Sequence, residues 1–309
     1  MARINPPPLF KKNNLSKKEV FQLPKSSKKW CGVKKAVIPI AGLGTRFLPL
    51  SKVIPKEFFP LNSKPVIQYI IEEALEAGID EIIFVISPEK KEIFENYILK
   101  YFREEKKLLN ILKKRKKEKA IEALNSIPKI KYRYALQKKP LGDGDAILKA
   151  EKFIRKEPFL VLFGDDVSYG KEKFPSQLVA AFEKNKKTFL CLYKLPKEKL
   201  SAYGVPRVKK IGKGLYKIAD VIEKPKGNPP SNFALVGNYI FTPEIFFYLK
   251  KIKPKNGEIL LVEAIKKEIE DKKDVFGLPV RGKWLECGDK EKWMKSFLFL
   301  ASPRSKNFW

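Results

Sequence analysis

Three short, continuous apolar runs, separated by amphipathic stretches, constrain the fold of this chain more than any other feature of its sequence. Ala36–Ile40, Ile82–Ile86 and Phe159–Phe163 have the length of strands that are buried on both faces of a sheet. Between the first two runs, apolar residues recur at helical spacing from Ile67 to Leu75. This repetition predicts an α/β fold with a Rossmann-like, mixed but mostly parallel sheet flanked by helices.

The second half of the chain carries a stronger β signal. Phe189–Tyr193, Leu215–Ile222 and Ala234–Phe241 are rich in β-branched and aromatic residues, which predicts three further strands. Helical patterns at Glu258–Glu270 and Lys290–Leu300 are expected to close the fold.

Composition divides the chain into an arm, a domain and a tail. Residues 1–33 contain Pro6-Pro7-Pro8 and several lysine pairs without sustained periodicity, which predicts a basic, poorly ordered N-terminal arm. One domain is expected over 34–300, with a C-terminal tail at 301–309. Within the domain, the Lys/Glu-rich segment at about 100–127 is predicted to be a peripheral helical insertion.

The residue types that are missing exclude several kinds of chemistry. The chain has no histidine, so a Ser-His or Cys-His pair, an imidazole base and a His-ligated zinc are all excluded. Cys31, Cys191 and Cys287 are too few and too scattered for a metal cluster or a disulfide framework. They indicate thiols in a reducing compartment. Carboxylates, lysines, arginines and backbone groups are left to do the chemistry.

The net charge of +30 at pH 7 favours anionic partners. Lysines are spread along the whole chain, without the arginine-rich arm or interleaved aromatics that read nucleic acid, so we expect no specific nucleic-acid partner. No apolar run approaches the length of a membrane span and no secretory signal is recognisable. We therefore expect a cytoplasmic protein with no membrane partner and with phosphorylated small molecules as ligands.

A glycine-rich loop follows the first predicted strand. It is Ala41-Gly42-Leu43-Gly44-Thr45-Arg46, and Lys56 comes ten residues later. Glycines after a parallel strand let backbone N–H groups approach phosphate oxygens, while Arg46 and Lys56 supply the positive charge that a triphosphate needs. The third glycine of the dinucleotide fingerprint and the Gly-Lys-Ser/Thr of a P-loop are both absent, which argues against NAD binding and a Walker-type NTPase.

An acidic pair, Asp165 and Asp166, follows the predicted strand at Phe159–Phe163. Open α/β sheets bind ligands at this carboxyl edge. The alternative for either aspartate is a turn or a helix cap. Beside a bound polyphosphate, however, a carboxylate is a natural Mg²⁺ ligand, because Mg²⁺ takes one or two protein carboxylates together with phosphate oxygens.

These motifs resemble those of the bacterial UTP–glucose-1-phosphate uridylyltransferases, a branch of the sugar nucleotidyltransferases. The glycine loop and Ile54-Pro55-Lys56-Glu57 carry the resemblance, which extends over roughly Lys34 to Leu300. It implies a nucleotide-diphospho-sugar transferase fold that joins UTP and glucose 1-phosphate, with Mg²⁺ as cofactor. A homo-oligomer is compatible with the resemblance, and the sequence leaves the oligomeric state open.

The resemblance also assigns roles to individual residues. Asp165 and Glu286 are the expected metal ligands, although the family usually has Asp at the position of Glu286. Arg46, Lys56 and Lys224 are expected to neutralise phosphate charge. Asp166 is expected to contact the nucleotide or to orient its loop.

The base and the sugar have their own predicted segments. Gln137 and Gly142 resemble the base-recognition segment, because an amide can pair with the donor and acceptor edge of uracil and a glycine lets the backbone approach the ring. Gly204, Glu223 and Lys224 resemble the sugar-phosphate half of the site, although a Glu-Lys pair before proline is also typical of a surface turn. The chain departs from the usual family residues at Asp143, Asp145, Asn238, Leu260, Val262 and Glu263.

Two alternatives stay open at this point. The first is a nucleotidyltransferase for another nucleotide or sugar, such as dTTP or a different hexose 1-phosphate. The second is a lapsed enzyme that binds nucleotide sugar or an anionic polymer; the departures from the family pattern and the +30 charge support it.

Overall fold

The computed structural model describes residues 32–97, 101–212 and 214–302. Nearly all of the predicted N-terminal arm, including Cys31, and most of the predicted tail at 301–309 lie outside these ranges. The strands are β1 (Lys35–Pro39), β2 (Pro60–Leu61), β3 (Lys64–Pro65), β4 (Glu81–Ile86), β5 (Lys131–Leu136), β6 (Phe159–Leu162), β7 (Asp166–Tyr169), β8 (Thr188–Lys194), β9 (Gly204–Gly212), β10 (Leu215–Glu223), β11 (Phe233–Phe241), β12 (Val275–Pro279) and β13 (Lys283–Glu286).

The helices lie between these strands or pack on their faces. They are α1 (Val66–Glu76), α2 (Lys91–Glu95), α3 (Tyr101–Lys114), α4 (Glu118–Asn125), α5 (Asp143–Lys149), α6 (Glu151–Ile154), α7 (Phe174–Asn185), α8 (Ile245–Lys251), α9 (Leu261–Glu270) and α10 (Lys290–Ala301). None of these helices is both long enough and apolar enough to cross a bilayer.

Nine strands form one large sheet in the order β5-β4-β1-β6-β11-β8-β12-β10-β9. Strands β5, β4, β1 and β6 are parallel neighbours, as are β8 and β12. Only β11 and β10 run in the opposite direction. The prediction of a mixed, mostly parallel sheet is therefore confirmed. Two short antiparallel pairs, β7 with β13 and β2 with β3, lie outside this sheet.

The central strands are apolar throughout because each of them contributes side chains to both faces of the sheet. In β1, Ala36 and Ile38 belong to one core and Val37 to the other. Helices α1 and α7 cover the first face, whereas α5, α8 and α9 cover the second. Alternation with a period of two thus places neighbouring apolar residues in different cores.

One predicted element begins later than expected. The helix predicted at Glu258–Glu270 starts at Leu261. Glu258 and Lys255 exchange two backbone hydrogen bonds, of 2.8 and 3.0 Å, and the Ile259 N–H donates to the Leu141 carbonyl at 2.7 Å. These contacts hold the preceding residues in a turn, so the helical sequence pattern there is overridden by tertiary bonding. In the segment at about 100–127, the structure has helices α3 and α4.

The parallel strands direct four loops to one edge of the sheet. Strands β1, β4, β5 and β6 all end there, because neighbouring parallel strands point the same way. The segments that follow them are residues 41–46, 87–90, 137–142 and 163–165. Every predicted nucleotide and metal residue before position 167 lies in or close to these segments.

Candidate active site

The glycine-rich loop presents backbone and charge to solvent while its end is anchored in the core. Gly44 has a φ of 66°, in the left-handed region, and a short 3₁₀ turn follows at Thr45–Phe47. Ala41 is buried, whereas Gly42, Leu43 and Arg46 are exposed. The ring of Phe47 is buried against Phe59, with 4.9 Å between the ring centroids. The loop can therefore offer backbone N–H groups to a phosphate, while the buried Phe47 ring holds its C-terminal end in place.

A buried ion pair holds the Pro55–Phe58 segment against the sheet. The carboxylate of Glu57 is 1% exposed, and its two oxygens lie 3.3 and 3.1 Å from Lys90 Nζ. The same ammonium donates to the Ile40 carbonyl, at the end of β1, at 2.8 Å. A Cβ at Gly164 would stand 2.5 Å from Ile40 Cγ2 and 3.2 Å from Glu57 Cγ, so only glycine fits there. Lys56 is thereby placed next to the residues that follow β6.

Lys56 and Asp165 form an ion pair at the carboxyl edge of the sheet. Their side chains are only 17% and 18% exposed. Burial alone would lower the pKa of Lys56, but the carboxylates of Asp165 and Glu57 raise it above its ordinary value. Burial would likewise raise the pKa of Asp165, but Lys56 and Arg46 hold it below its ordinary value. Both groups are therefore charged at neutral pH.

Asp166 has a different environment from its neighbour. Its two oxygens accept hydrogen bonds from the Gly237 N–H at 2.9 Å and from Trp284 Nε1 at 2.8 Å. Burial, together with the nearby Asp165 and Glu286, raises the pKa of Asp166 to about 8. Because both oxygens are used within the chain, this geometry favours the loop-orienting role over direct contact with a nucleotide.

Strand β13 brings Glu286 to Asp165. Glu286 is the register partner of Asp166, and the Cys287 N–H donates to the Asp165 carbonyl at 2.7 Å. The Glu286 carboxylate accepts hydrogen bonds from the Tyr203 hydroxyl at 2.5 Å and from Lys292 Nζ at 2.6 Å. The Glu286 carboxylate is therefore largely shielded from solvent and lies close to Asp165.

Gly288 marks the point at which the charged groups meet. A Cβ added there would lie 3.2 Å from Asp165 Oδ2, 3.5 Å from Arg46 Nη1 and 3.7 Å from Glu286 Oε1. Within the described ranges, no three Asp, Glu, Cys or His side chains are grouped so that they could hold a metal ion. The carboxylates of Asp165 and Glu286, which lie close to Gly288, nevertheless fit Mg²⁺. This ion usually takes only one or two protein carboxylates and keeps water or phosphate oxygens as its other ligands.

The predicted base-recognition segment is folded back on itself. Gln137 is 5% exposed, and its amide nitrogen donates to the Gly142 carbonyl and to Asp145 Oδ2, both at 2.9 Å. Gly142 has a φ of 95°, and a Cβ there would stand 2.6 Å from the Ile259 carbonyl oxygen. Both Gln137 N–H donors are therefore engaged, so a donor role toward a base would require one of these bonds to open. The side chain and the loop still lie at the carboxyl edge.

Two of the predicted sugar residues, Gly204 and Glu223, border a pocket of about 100 Å³. Its polar lining comes from Asp143, Gly204 and Glu223. Lys224 is not part of the lining: its side chain is 66% exposed, and its Nζ is 3.5 Å from the carboxylate of Glu223. The apolar wall of the pocket consists of Leu235, Tyr239, Leu260, Leu261, Val262 and Ile265.

The Lys224 backbone connects this pocket to the carboxylate of Glu286. Its N–H donates to the Tyr203 carbonyl at 3.0 Å, and the hydroxyl of the same tyrosine bonds to Glu286. The Tyr203 ring also packs against Trp284, at 5.2 Å between centroids. The structure therefore connects two groups of residues that the sequence analysis treated separately.

Several residues near the site were not identified from the sequence. Lys90 and Lys292 are among them, since lysines are too common in this chain for any one of them to stand out. Asn238 is completely buried, and neither the oxygen nor the nitrogen of its side-chain amide has a hydrogen-bond partner among the described residues.

The fold and this site define a nucleotide-binding α/β protein, and comparison with known proteins identifies its class. The Nucleotidyl transferase family model matches residues 35–302. The UTP–glucose-1-phosphate uridylyltransferase of Bacillus subtilis (strain 168) is 40% identical over 264 residues, which cover 84% of this chain and 87% of that protein. The chain therefore belongs to the nucleotidyl transferase family, and the prediction of a uridylyltransferase is confirmed.

Solved structures agree with this assignment. UDP-glucose pyrophosphorylase complexed with UDP-glucose matches with a TM-score of 0.76 and 34% identity, over 87% of this chain and 98% of that chain. UTP-bound UGPase from Acinetobacter baumannii matches with a TM-score of 0.79 and 31% identity, over 89% and 97%. The predicted nucleotide-diphospho-sugar transferase fold is thereby confirmed.

Proposed function

We propose that this chain transfers the uridylyl group of UTP to glucose 1-phosphate, forming UDP-glucose and pyrophosphate. The observation that carries this proposal is the convergence of Arg46, Asp165 and Glu286 within 4 Å of the Cβ position of Gly288. Lys56 adds a second cation through its pair with Asp165. Cations and carboxylates together, beside a glycine loop, suit a triphosphate that arrives with a divalent metal. The uridylyltransferase relative and the UTP-bound and UDP-glucose-bound structures support these substrates.

The reaction needs alignment and charge neutralisation rather than a general base. A phosphate oxygen of glucose 1-phosphate attacks the α-phosphorus of UTP in line, and pyrophosphate leaves. Since the nucleophile is already anionic, the absence of histidine is no obstacle. Two unit charges about 4 Å apart repel by about 4 kcal/mol at an effective dielectric constant near 20. Arg46 and Lys56 would offset this repulsion on the nucleotide side, and Lys224 on the sugar-phosphate side.

We propose Mg²⁺ as the metal, with Asp165 and Glu286 as its protein ligands. The ion would supply further neutralisation of phosphate charge. Asp165 is suited to this role because its lowered pKa keeps it ionised, and Asp166 is suited to holding the loop through Trp284 and Gly237. Lys56 would pass from Asp165 to a phosphate oxygen as the nucleotide binds.

The remaining groups would select the base and the sugar. Glu223 can accept hydrogen bonds from sugar hydroxyls, and Gly204 leaves room beside it, since a Cβ there would lie 3.2 Å from Glu223 Oε2. Gln137 and Gly142 would face the uracil ring from the neighbouring loop. We also propose a cytoplasmic location, because Cys191 and Cys287 are buried free thiols of the kind found in reducing compartments.

The test is pyrophosphate release measured for each nucleoside triphosphate, and for dTTP, with glucose 1-phosphate and other hexose 1-phosphates. We expect release with UTP only when glucose 1-phosphate is present, and loss of release with EDTA. Asp165→Asn should abolish most of it, whereas Lys295→Met on the exposed face of α10 should not change it. Faster turnover with dTTP would reassign the nucleotide. UDP-glucose binding without any turnover would support the lapsed-enzyme alternative.

A further inference from the structure

Both carboxylate oxygens of Glu286 are occupied from within the chain. Lys292 Nζ bonds to Oε1 at 2.6 Å and the Tyr203 hydroxyl bonds to Oε2 at 2.5 Å. The side chains of Lys292 and Glu286 are 30% and 17% exposed. This pair is more enclosed than an ordinary surface ion pair such as Lys295 with Glu291, at 71% and 77%. An enclosed pair is less weakened by water and salt.

Lys292 is held in position by three further contacts. Its backbone N–H is the donor that caps α10, bonding to Asp289 Oδ1 at 2.9 Å. Its ammonium lies 3.5 Å from Asp289 Oδ2 and 4.7 Å from the centre of the Tyr203 ring. The ammonium is therefore fixed over the carboxylate by the start of the helix and by an aromatic face.

The oxygen that Lys292 uses also faces Asp165. Glu286 Oε1 and Asp165 Oδ2 lie 3.7 and 3.2 Å from the same Cβ position at Gly288. Each of these two oxygens thus bonds to a lysine, Lys292 in the first case and Lys56 in the second. A divalent ion that bridged the two carboxylates would have to displace at least one ammonium group or share its oxygen.

We infer that Lys292 is a resident counter-cation of the metal site, which competes with the divalent ion for Glu286 Oε1 and so weakens metal binding in the absence of nucleotide. This inference rests on the proposed function only in taking Glu286 as a metal ligand. Without metal, Lys292 offsets the repulsion between two neighbouring carboxylates. Phosphate oxygens of a bound nucleotide would supply further ligands to a divalent ion, so that Lys292 would leave Glu286 Oε1 more readily with nucleotide than without it. Lys292 is thus a positioning residue, acting through Glu286.

The test is Mn²⁺ binding to the full chain without substrates, measured from the EPR signal of free Mn²⁺. Lys292→Met removes the charge and keeps an unbranched side chain over Tyr203, and Lys292→Gln is a second neutral variant. Both should bind Mn²⁺ at least about fivefold more tightly, because a positive charge next to a ligand oxygen is lost. Lys292→Arg, which keeps the charge, should stay within about twofold of the wild type. Lys295→Met lowers the net charge equally and should also stay within about twofold.

The Glu286→Gln background makes the test specific to this carboxylate. There, Lys292→Met should bring no gain in Mn²⁺ affinity. Unchanged affinity in Lys292→Met and Lys292→Gln, or a gain that persists in the Glu286→Gln background, would overturn the inference. Pyrophosphate release is measured separately on the wild type. If the wild type turns over but the Lys292 variants bind Mn²⁺ no more tightly than it does, only the counter-cation role of Lys292 is refuted. If the Lys292 variants bind Mn²⁺ more tightly but the wild type does not turn over, only the proposed function is refuted.

Discussion

Breaking the pair between Lys56 and Asp165 should separate its role in folding from its role in catalysis. Lys56→Met leaves the Asp165 carboxylate, 18% exposed, without its main partner. Removing one member of a buried pair typically destabilises a protein by 3–5 kcal/mol, and the remaining exposure and the nearby Arg46 reduce this to about 2–3 kcal/mol. Asp165→Asn should have a smaller effect, since an amide can still accept a hydrogen bond from Lys56. The double variant Lys56→Met/Asp165→Asn should be less destabilised than the sum of the single changes, by about 1–2 kcal/mol.

Activity should follow a different pattern. Each of the three variants should lose at least about 10²-fold in kcat, because a large part of the repulsion of about 4 kcal/mol between the substrates is no longer offset. The double variant recovers stability but not rate. The assays are urea unfolding and pyrophosphate release on the same preparations. The exposed pair Lys295 with Glu291 serves as control, and its double-mutant cycle should give less than about 1 kcal/mol of coupling. Additive stability losses, or normal turnover in any variant, would refute this account of the pair.

Three other changes have distinct expected outcomes. Glu286→Gln should raise the Mg²⁺ concentration needed for half-maximal rate and lower maximal turnover, while Glu286→Asp should retain activity. An unchanged Mg²⁺ requirement in Glu286→Gln would show that this residue is not a metal ligand. Lys90→Met should destabilise the fold by at least about 2 kcal/mol in urea unfolding and raise the KM for UTP, because it leaves the Glu57 carboxylate buried without a partner. The control variant Lys91→Met, which changes a surface lysine, should alter neither stability nor KM. Burial raises the pKa of Glu73 from 4.5 to about 8, so the free energy of unfolding of the wild type should fall as pH rises between these values. In urea unfolding, the stability of Glu73→Gln relative to the wild type should therefore increase from about pH 5 to about pH 8. A stability difference that is constant with pH would contradict the pKa shift.

Local patterns were sufficient to predict the centre of the fold. Strands β1 and β4 were identifiable because burial on both faces leaves an uninterrupted apolar run, which few other structures produce in five or six residues. The start of α9 was not, because it depends on the Ile259 backbone bonding to Leu141, more than a hundred residues away in the chain. The directions of β10 and β11 likewise depend on pairing that no local pattern records.

The same distinction applies to the candidate site. Arg46, Lys56 and Asp165 could be expected to meet, because the segments after parallel strands share one edge of the sheet. The contacts of Glu286 could not be predicted, since Tyr203 is 83 residues away and Lys292 is 6 residues away, beyond a turn and the start of a helix. Polar partners at such separations are set by the packed structure rather than by spacing.

The central claim is that a phosphate oxygen of glucose 1-phosphate becomes the bridging oxygen of UDP-glucose. It is tested most directly with glucose 1-phosphate labelled with ¹⁸O in its three non-bridging phosphate oxygens, incubated with UTP, Mg²⁺ and the wild-type chain. The isotope shifts of the products are then read by ³¹P NMR. In-line attack on the α-phosphorus predicts UDP-glucose that retains all three labels, one of them between the two phosphorus atoms, and pyrophosphate without label. Label in pyrophosphate, or formation of UMP in place of UDP-glucose, would contradict the proposed reaction.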